Sequence, residues 1–290
     1  MSNGQTKLFP AWDLAGKSYR ALIDNFGYAL KICWAWIVVM ASAIVAADLI
    51  RNGSGADGSA GGLSLSWFLA ICLWLLLFAA LSSIAVAWHR MLLRGEKDLS
   101  AVYLRMDKLV AIYYGFALLV FLISLSPYAA VWGLGETLKL TDTMIFSPGN
   151  DGRTPIDYLF SQQGLLGFPL LQIAAFVVLV MLTARLGVAL PGKALAAPEG
   201  TLMGAWRITR GSSWGLFVGT GICVLPYVIL VGMLRGFGFD FSPSDGSLLH
   251  VLDRLAIQML SMLLGLVEVG FLAHCFLYFF PKSKAVVATE

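Results

Sequence analysis

Six residues near the end of the chain share one helical face. Arg254, Gln258, Ser261, Gly265, Glu268 and Cys275 recur at spacings of four, three, four, three and seven, with Leu272 in the remaining position and Leu, Val, Met and Phe on the other faces. A carboxyl group in such a setting can hold a proton or a cation. At the centre of a bilayer an ionisable group costs about 2.5 to 3.5 kcal/mol on insertion scales, so Glu268 must face protein or water rather than lipid. Two uses fit it. It belongs to a substrate or proton pathway, or it is interhelical glue beside the small residues Ser261 and Gly265. Arg185 and His274 are candidate partners if the fold brings them near, although His274, six residues on, is rotated off the Glu268 face.

Gly211-Ser212-Ser213-Trp214-Gly215 matches the nucleophile pattern G-x-S-x-G in letters. A nucleophile elbow needs a strand, a strained turn and then a helix, whereas this segment opens an apolar helix beside Arg207 and Arg210. Helix packing explains it better, because Gly211, Gly215 and Gly219 recur every four residues and admit a neighbouring backbone. No H-E-x-x-H is present, and Cys33, Cys72, Cys223 and Cys275 lie in apolar runs without C-x-x-C spacing. No metal and no cofactor is expected.

A longer phrase runs from Ala184-Arg185-Leu186-Gly187-Val188-Ala189-Leu190-Pro191 to Ala205-Trp206-Arg207-Ile208-Thr209-Arg210-Gly211, Trp214, Leu216 and Phe217. It resembles the membrane domain fused to some bacterial glycerophosphoryl diester phosphodiesterases, and that domain's free-standing relatives. The resemblance marks Arg185, Pro191, Trp206, Arg207 and Gly211. It departs from the family at Ala205, where a serine is expected, and at Pro198-Glu199, where a Gly-rich turn is usual. The phosphodiesterase's own His-Arg-Gly opening is missing, since His89-Arg90 is followed by Met91. The resemblance therefore implies a membrane scaffold without catalysis. Arginine and tryptophan at these places also anchor helices in the headgroup region.

The elements that must carry these residues are apolar. Of 290 residues 59% are hydrophobic and 13% charged, with a mean hydropathy of +0.80, far from the balance of a water-soluble domain. A bilayer core of roughly 30 Å needs about 20 helical residues. Six runs qualify: Ile32 to Ile50, Trp67 to Trp88, Leu109 to Trp132, Gly164 to Thr183, Leu216 to Leu234 and Leu255 to Phe280. Pro169 and Pro226 interrupt the fourth and fifth, and Pro127 lies in the third. The expected fold is all-α: a six-span bundle over residues 32–280, preceded by an amphipathic segment, 1–31, and followed by a tail, 281–290.

Lysine and arginine are divided unevenly between alternate loops, 15 on one side and 5 on the other. Positive flanks resist translocation, which places both termini in the cytoplasm of a bacterial inner-membrane protein. Trp12, Ala15, Tyr19, Leu22, Phe26 and Ala29 form one oily face of the first segment. Such a helix lies in the headgroup region or caps the inner loops. Each outer loop carries an Asp-Gly pair, at 57–58, 151–152 and 245–246, 94 residues apart. That spacing suggests three hairpin repeats, though Asp-Gly is also ordinary turn chemistry. Asp142, Asn150, Asp151 and Asp157 do not follow the order of a calcium loop.

Polar groups inside the spans are few, so the first functional expectation is a non-enzymatic scaffold, partner-binding subunit or regulator. Its partners would be the lipid bilayer and another membrane protein or a second copy, with no nucleic acid. The alternative is a small-molecule or lipid transporter using the polar stripe around Glu268, since broken helices often line binding sites.

Overall fold

The structure, a computed structural model, describes residues 9–53, 65–98, 100, 102–137, 167–198, 200–236 and 248–281. The Asp-Gly pairs and the Asp142 to Asp157 group lie outside the described residues. The helices are α1 (Ala11–Asp24), α2 (Phe26–Gly53), α3 (Leu65–Arg94), α4 (Lys108–Thr137), α5 (Gly167–Gly187), α6 (Leu190–Ala194), α7 (Leu202–Ile208), α8 (Ser213–Gly236) and α9 (Leu248–Phe279). Among the described residues there is no strand.

Six helices are long and apolar enough to cross a bilayer, over Phe26–Ala46, Phe68–Arg94, Lys108–Leu134, Leu170–Ala194, Ser213–Met233 and Ala256–Phe279. The protein is a multi-pass membrane protein of the all-α class. Its outer surface fits lipid rather than water: Phe68, Ile71, Trp74, Leu122, Leu170, Ile173, Phe176 and Val228 are all exposed large apolar side chains.

The first span starts at Phe26, not Ile32. Asn25 makes the break after α1, its Nδ2 donating to the Ala21 carbonyl at 3.0 Å. Lys31 stays inside the span because its ammonium reaches the Asp98 carbonyl at 2.9 Å. The second span runs on past Trp88 to Arg94, whose neighbour Arg90 pairs with Glu96 at 2.5 Å beyond the helix end. That extension carries His89 inside the protein.

The prolines divide into two kinds. Pro169 sits in the first turn of α5, where no intrahelical N–H is needed. Pro127 and Pro226 lie inside α4 and α8, and each deprives the carbonyl four residues earlier of its partner. A hydroxyl replaces that partner in both cases. Ser126 Oγ donates to the Ile123 carbonyl at 2.8 Å, and Tyr19 Oη, from α1, donates to the Ile222 carbonyl at 2.9 Å and to that of Cys223 at 3.1 Å.

α1 settles between the two placements its amphipathic pattern allows. It packs on α9 and α8, burying Ala11, Leu14, Ala15, Ser18 and Leu22 against protein. Trp12 and Ile23 on its outer side are 73% and 72% exposed. Glycines on α8 and α9 make room for it: a methyl group on Gly215 would meet the Phe9 ring, and one on Gly270 would touch Ser18. Phe9 in turn stacks on Phe279 at 5.5 Å. At about 1.5 Å per residue α9 is roughly 48 Å long, well beyond the bilayer core, so its end can hold α1 without taking that helix deep into lipid.

α9 is the hub, packing on α1, α2, α3, α6 and α8. Five helices close a ring: α9 on α3, α3 on α4, α4 on α5, α5 on α8 and α8 back on α9. Helices opposite one another across it, such as α9 and α4 or α8 and α3, scarcely approach among the described residues. The short α6 packs on α3, α4 and α9 and closes the ring at one end.

Candidate functional site

Glu268 lies near the midpoint of the span Ala256–Phe279. Gln258, Ser261, Gly265 and Glu268 are half-buried along their whole stripe, whereas Leu272 and Cys275, further along the same face, are buried. The stripe is therefore less buried on one side of Glu268 than on the other. A separate buried cluster lies beside Val269. Val110 and Tyr113 of α4, Ala85 and Val86 of α3 and Ala194 of α6 form a buried cluster on which Val269 and Leu190 pack. The side chain of Arg254 lies outside the described residues.

Neither expected partner reaches Glu268. Arg185 is engaged elsewhere, and His274 is turned toward α1, within electrostatic reach of Lys17. The groups within electrostatic reach of Glu268 are Tyr113 on α4 and Cys223 on α8. Tyr113 Oη lies 3.2 Å from His89 Nε2, and His89 is fully buried, its Nδ1 without a hydrogen-bond partner among the described residues. Thr220, one turn before Cys223, and Ser124 on α4 also carry buried hydroxyls without a partner among the described residues. Glu268, Tyr113, Cys223 and His89, scattered in sequence, are linked in this way across α9, α4, α8 and α3.

Glu268 itself makes no hydrogen bond among the described residues. That separates it from Ser261, whose Oγ bonds Tyr227 Oη of α8 at 3.2 Å and the Ile257 carbonyl at 2.7 Å. Ser261 is the residue of the stripe that ties helices together. Among the glycines read as packing positions, Gly219 faces the Phe271 ring and Gly215 faces Phe9, where any side chain would collide. Gly265 has open space beside it, so close approach is not its use. Gly211 also has open space, and its φ of +89° serves the turn between α7 and α8 instead.

The positions marked at 185–211 form a second cluster. The Arg185 guanidinium lies 3.6 Å over the Trp206 ring, donates through Nη2 to the Trp206 carbonyl at 2.7 Å, and through Nε to Thr209 Oγ1 at 3.1 Å. This holds α7 against the end of α5. Pro191 is buried at the start of α6. Arg207 and Arg210 are exposed beside Trp206 and Trp214. Gly211-Ser212 is a turn into α8, and among the described residues no strand precedes it, so the strand–turn–helix context of a nucleophile elbow is not formed there.

The sequence does not mark His89 or Tyr113 as site residues, and it marks Tyr19 only as part of an oily face. His89 falls just past an apolar run, and tyrosines in apolar runs are common. The signal available was the proline rule, since Pro226 announces a carbonyl in need of a donor. Comparison with protein-family models, with curated proteins and with solved structures found no match.

Proposed function

We infer that the chain is a transport protein of the bacterial inner membrane, moving a small ion or solute through the five-helix ring, with Glu268 as its interior binding group. One observation carries this reading: a mid-span carboxyl, partly accessible, stands within electrostatic reach of Tyr113 and Cys223 and, among the described residues, makes no bond that would hold helices together. A buried acid that serves only as glue would be hydrogen-bonded across the interface. Size limits the cargo. With helix axes ~8–10 Å apart, a ring of five puts each axis roughly 8 Å from the centre, against a helix radius of about 5–6 Å with side chains. A gap of a few ångströms suits water, protons and small ions better than lipids.

Cysteine accessibility tests the reading. Gln258→Cys, Ser261→Cys and Glu268→Cys, each in a Cys72→Ser background, are expected to react with a membrane-impermeant methanethiosulfonate in sealed vesicles. Reaction no greater than that of the parent at all three positions overturns it.

A partner-binding scaffold without enzymatic activity is favoured by a different observation, the exposed patch of Met203, Trp206, Arg207, Arg210 and Trp214. The resemblance of residues 184–217 to a phosphodiesterase membrane domain supports it too. On that reading the patch faces the cytoplasm, and Arg207→Glu with Arg210→Glu would release a co-purifying membrane protein or a second copy. Extraction of the parent as a partner-free monomer would count against it.

A further inference from the structure

We propose that an anionic phospholipid binds at the corner between α7 and α8, its phosphate on Arg207 and Arg210 and one acyl chain along the outer face of α8. The site is independent of the transport reading and puts a lipid where the scaffold reading puts a protein. Arg207 and Arg210 leave a single turn, closed by the Arg210 N–H on the Arg207 carbonyl at 3.3 Å. Both are exposed, and among the described residues no carboxylate pairs with either; the acids that pair with arginine, Glu96 and Asp107, lie in the α3–α4 linker. The Arg185 guanidinium, 3.6 Å over the Trp206 ring, adds a third positive charge to the same corner. Three guanidiniums without a counter-ion favour an anion, and the planar fork of arginine suits a phosphate.

The surroundings make that anion a lipid. Trp206, Met203 and Trp214 are 42%, 61% and 65% exposed, and large apolar side chains among arginines at the end of a span belong at the headgroup level. From Trp214 the outer side of α8 carries on into the span: Trp214, Gly221, Leu225, Val228 and Gly232 follow at spacings of seven, four, three and four, and all are exposed. They share one face. No atom lies within 4 Å of where a side chain on Gly221 would begin, so the stripe has a shallow gap between Trp214 and Leu225 that an acyl chain can fill. The step from Trp214 to Leu225 rises roughly 16 Å, one leaflet's share of a ~30 Å core. A zwitterionic lipid brings its own cation to the phosphate and competes with the arginines. An anionic lipid does not.

The test is native mass spectrometry of the full chain, delipidated in a neutral maltoside detergent and titrated with dioleoyl phosphatidylglycerol or dioleoyl phosphatidylcholine. The parent is expected to bind the first lipid about thirtyfold tighter, the attraction of two arginines for a charged headgroup. Arg207→Gln with Arg210→Gln should bring the two lipids level. Arg20→Gln with Lys108→Gln, which removes the same charge from exposed positions elsewhere, should leave the preference intact. Gly221→Leu has room for its side chain, should elute as the parent does on size exclusion, and should bind phosphatidylglycerol more weakly by about threefold or more, as the chain loses its gap. Equal binding of the two lipids by the parent overturns the proposal, and if the arginine pair of substitutions then releases a co-purified protein, the corner belongs to the scaffold reading. An intact preference in the folded arginine variant overturns it too. So does displacement of the lipid by inorganic phosphate, which would make the corner a site for free anions, and unchanged binding by Gly221→Leu removes the chain from α8.

Discussion

Tyr19 Oη donates to the Ile222 carbonyl at 2.9 Å, the carbonyl that Pro226 leaves without its helical N–H. A residue of the N-terminal helix thus completes the backbone of a span some 200 residues away. Tyr19→Phe should cost about 1–3 kcal/mol, the penalty for a buried acceptor left unmade. The cost should shrink when Pro226→Ala restores the N–H. A double-mutant cycle read by thermal unfolding in detergent checks this, and additive effects would mean that the two residues are not coupled.

Gly219 and Phe271 make a second pair. A side chain at 219 would occupy the space of the Phe271 ring, so Gly219→Val should lower stability by about 1–3 kcal/mol through overpacking, and Phe271→Leu should restore part of it. Gly265→Ala, with open space beside it, should be close to neutral. Unfolding midpoints of the three variants decide the matter.

Arg185→Lys keeps the charge and loses the fork. Lysine cannot donate to the Trp206 carbonyl and Thr209 together while lying flat on the indole. A loss of about 1–2 kcal/mol is expected from one charged hydrogen bond and part of the stacking. Protease cleavage between α7 and α8 should quicken in step. Unchanged cleavage would show that the clamp does not hold α7.

The α3–α4 linker carries a pH dependence. The Ser100 N–H, bonded to Asp98 Oδ1 at 2.8 Å, holds that carboxyl below its usual range. Burial pushes Asp107 upward, but the Val110 N–H at 3.0 Å and its bond with Arg105 outweigh burial and bring it below as well. A depressed folded value means stability that is present above the ordinary carboxylate range, near 4, and is lost as pH falls through the depressed values. The unfolding midpoint should therefore drop as pH falls below about 4. Asp107→Asn should flatten that drop, and Asp107→Ala should cost ~1 kcal/mol at neutral pH, as for a lost helix cap.

The spans were legible because their length and composition are set by bilayer thickness, a one-dimensional property. The stripe on α9 was legible for a similar reason, since a period of 3.6 needs no knowledge of neighbours. Span ends were less so. Lys31 and His89 read as terminators, yet each finds a partner supplied by another segment, Asp98 for the first and Tyr113 for the second. Arg185 and Trp206 were both noticed, though nothing in their spacing of 21 residues announced that one would lie flat on the other. Partnership between helices is a tertiary fact. Tyr113 and Cys223 come within reach of Glu268 only because α9 is the hub of the bundle.

That central position has a bearing on how the bundle is made. α9 is the last of the six spans to be synthesised, yet α1, α2, α3 and α8 all rest on it. Until it arrives, α1 has only α8 and the adjoining α2 to rest on, and α3 and α8 lack the neighbour that joins them, although α2, α3, α4, α5 and α8 can already pack in series. Assembly is therefore a closing event rather than a gradual accretion. A ribosome stalled before residue 248 leaves a row of neighbouring helices whose two ends have nothing to join them.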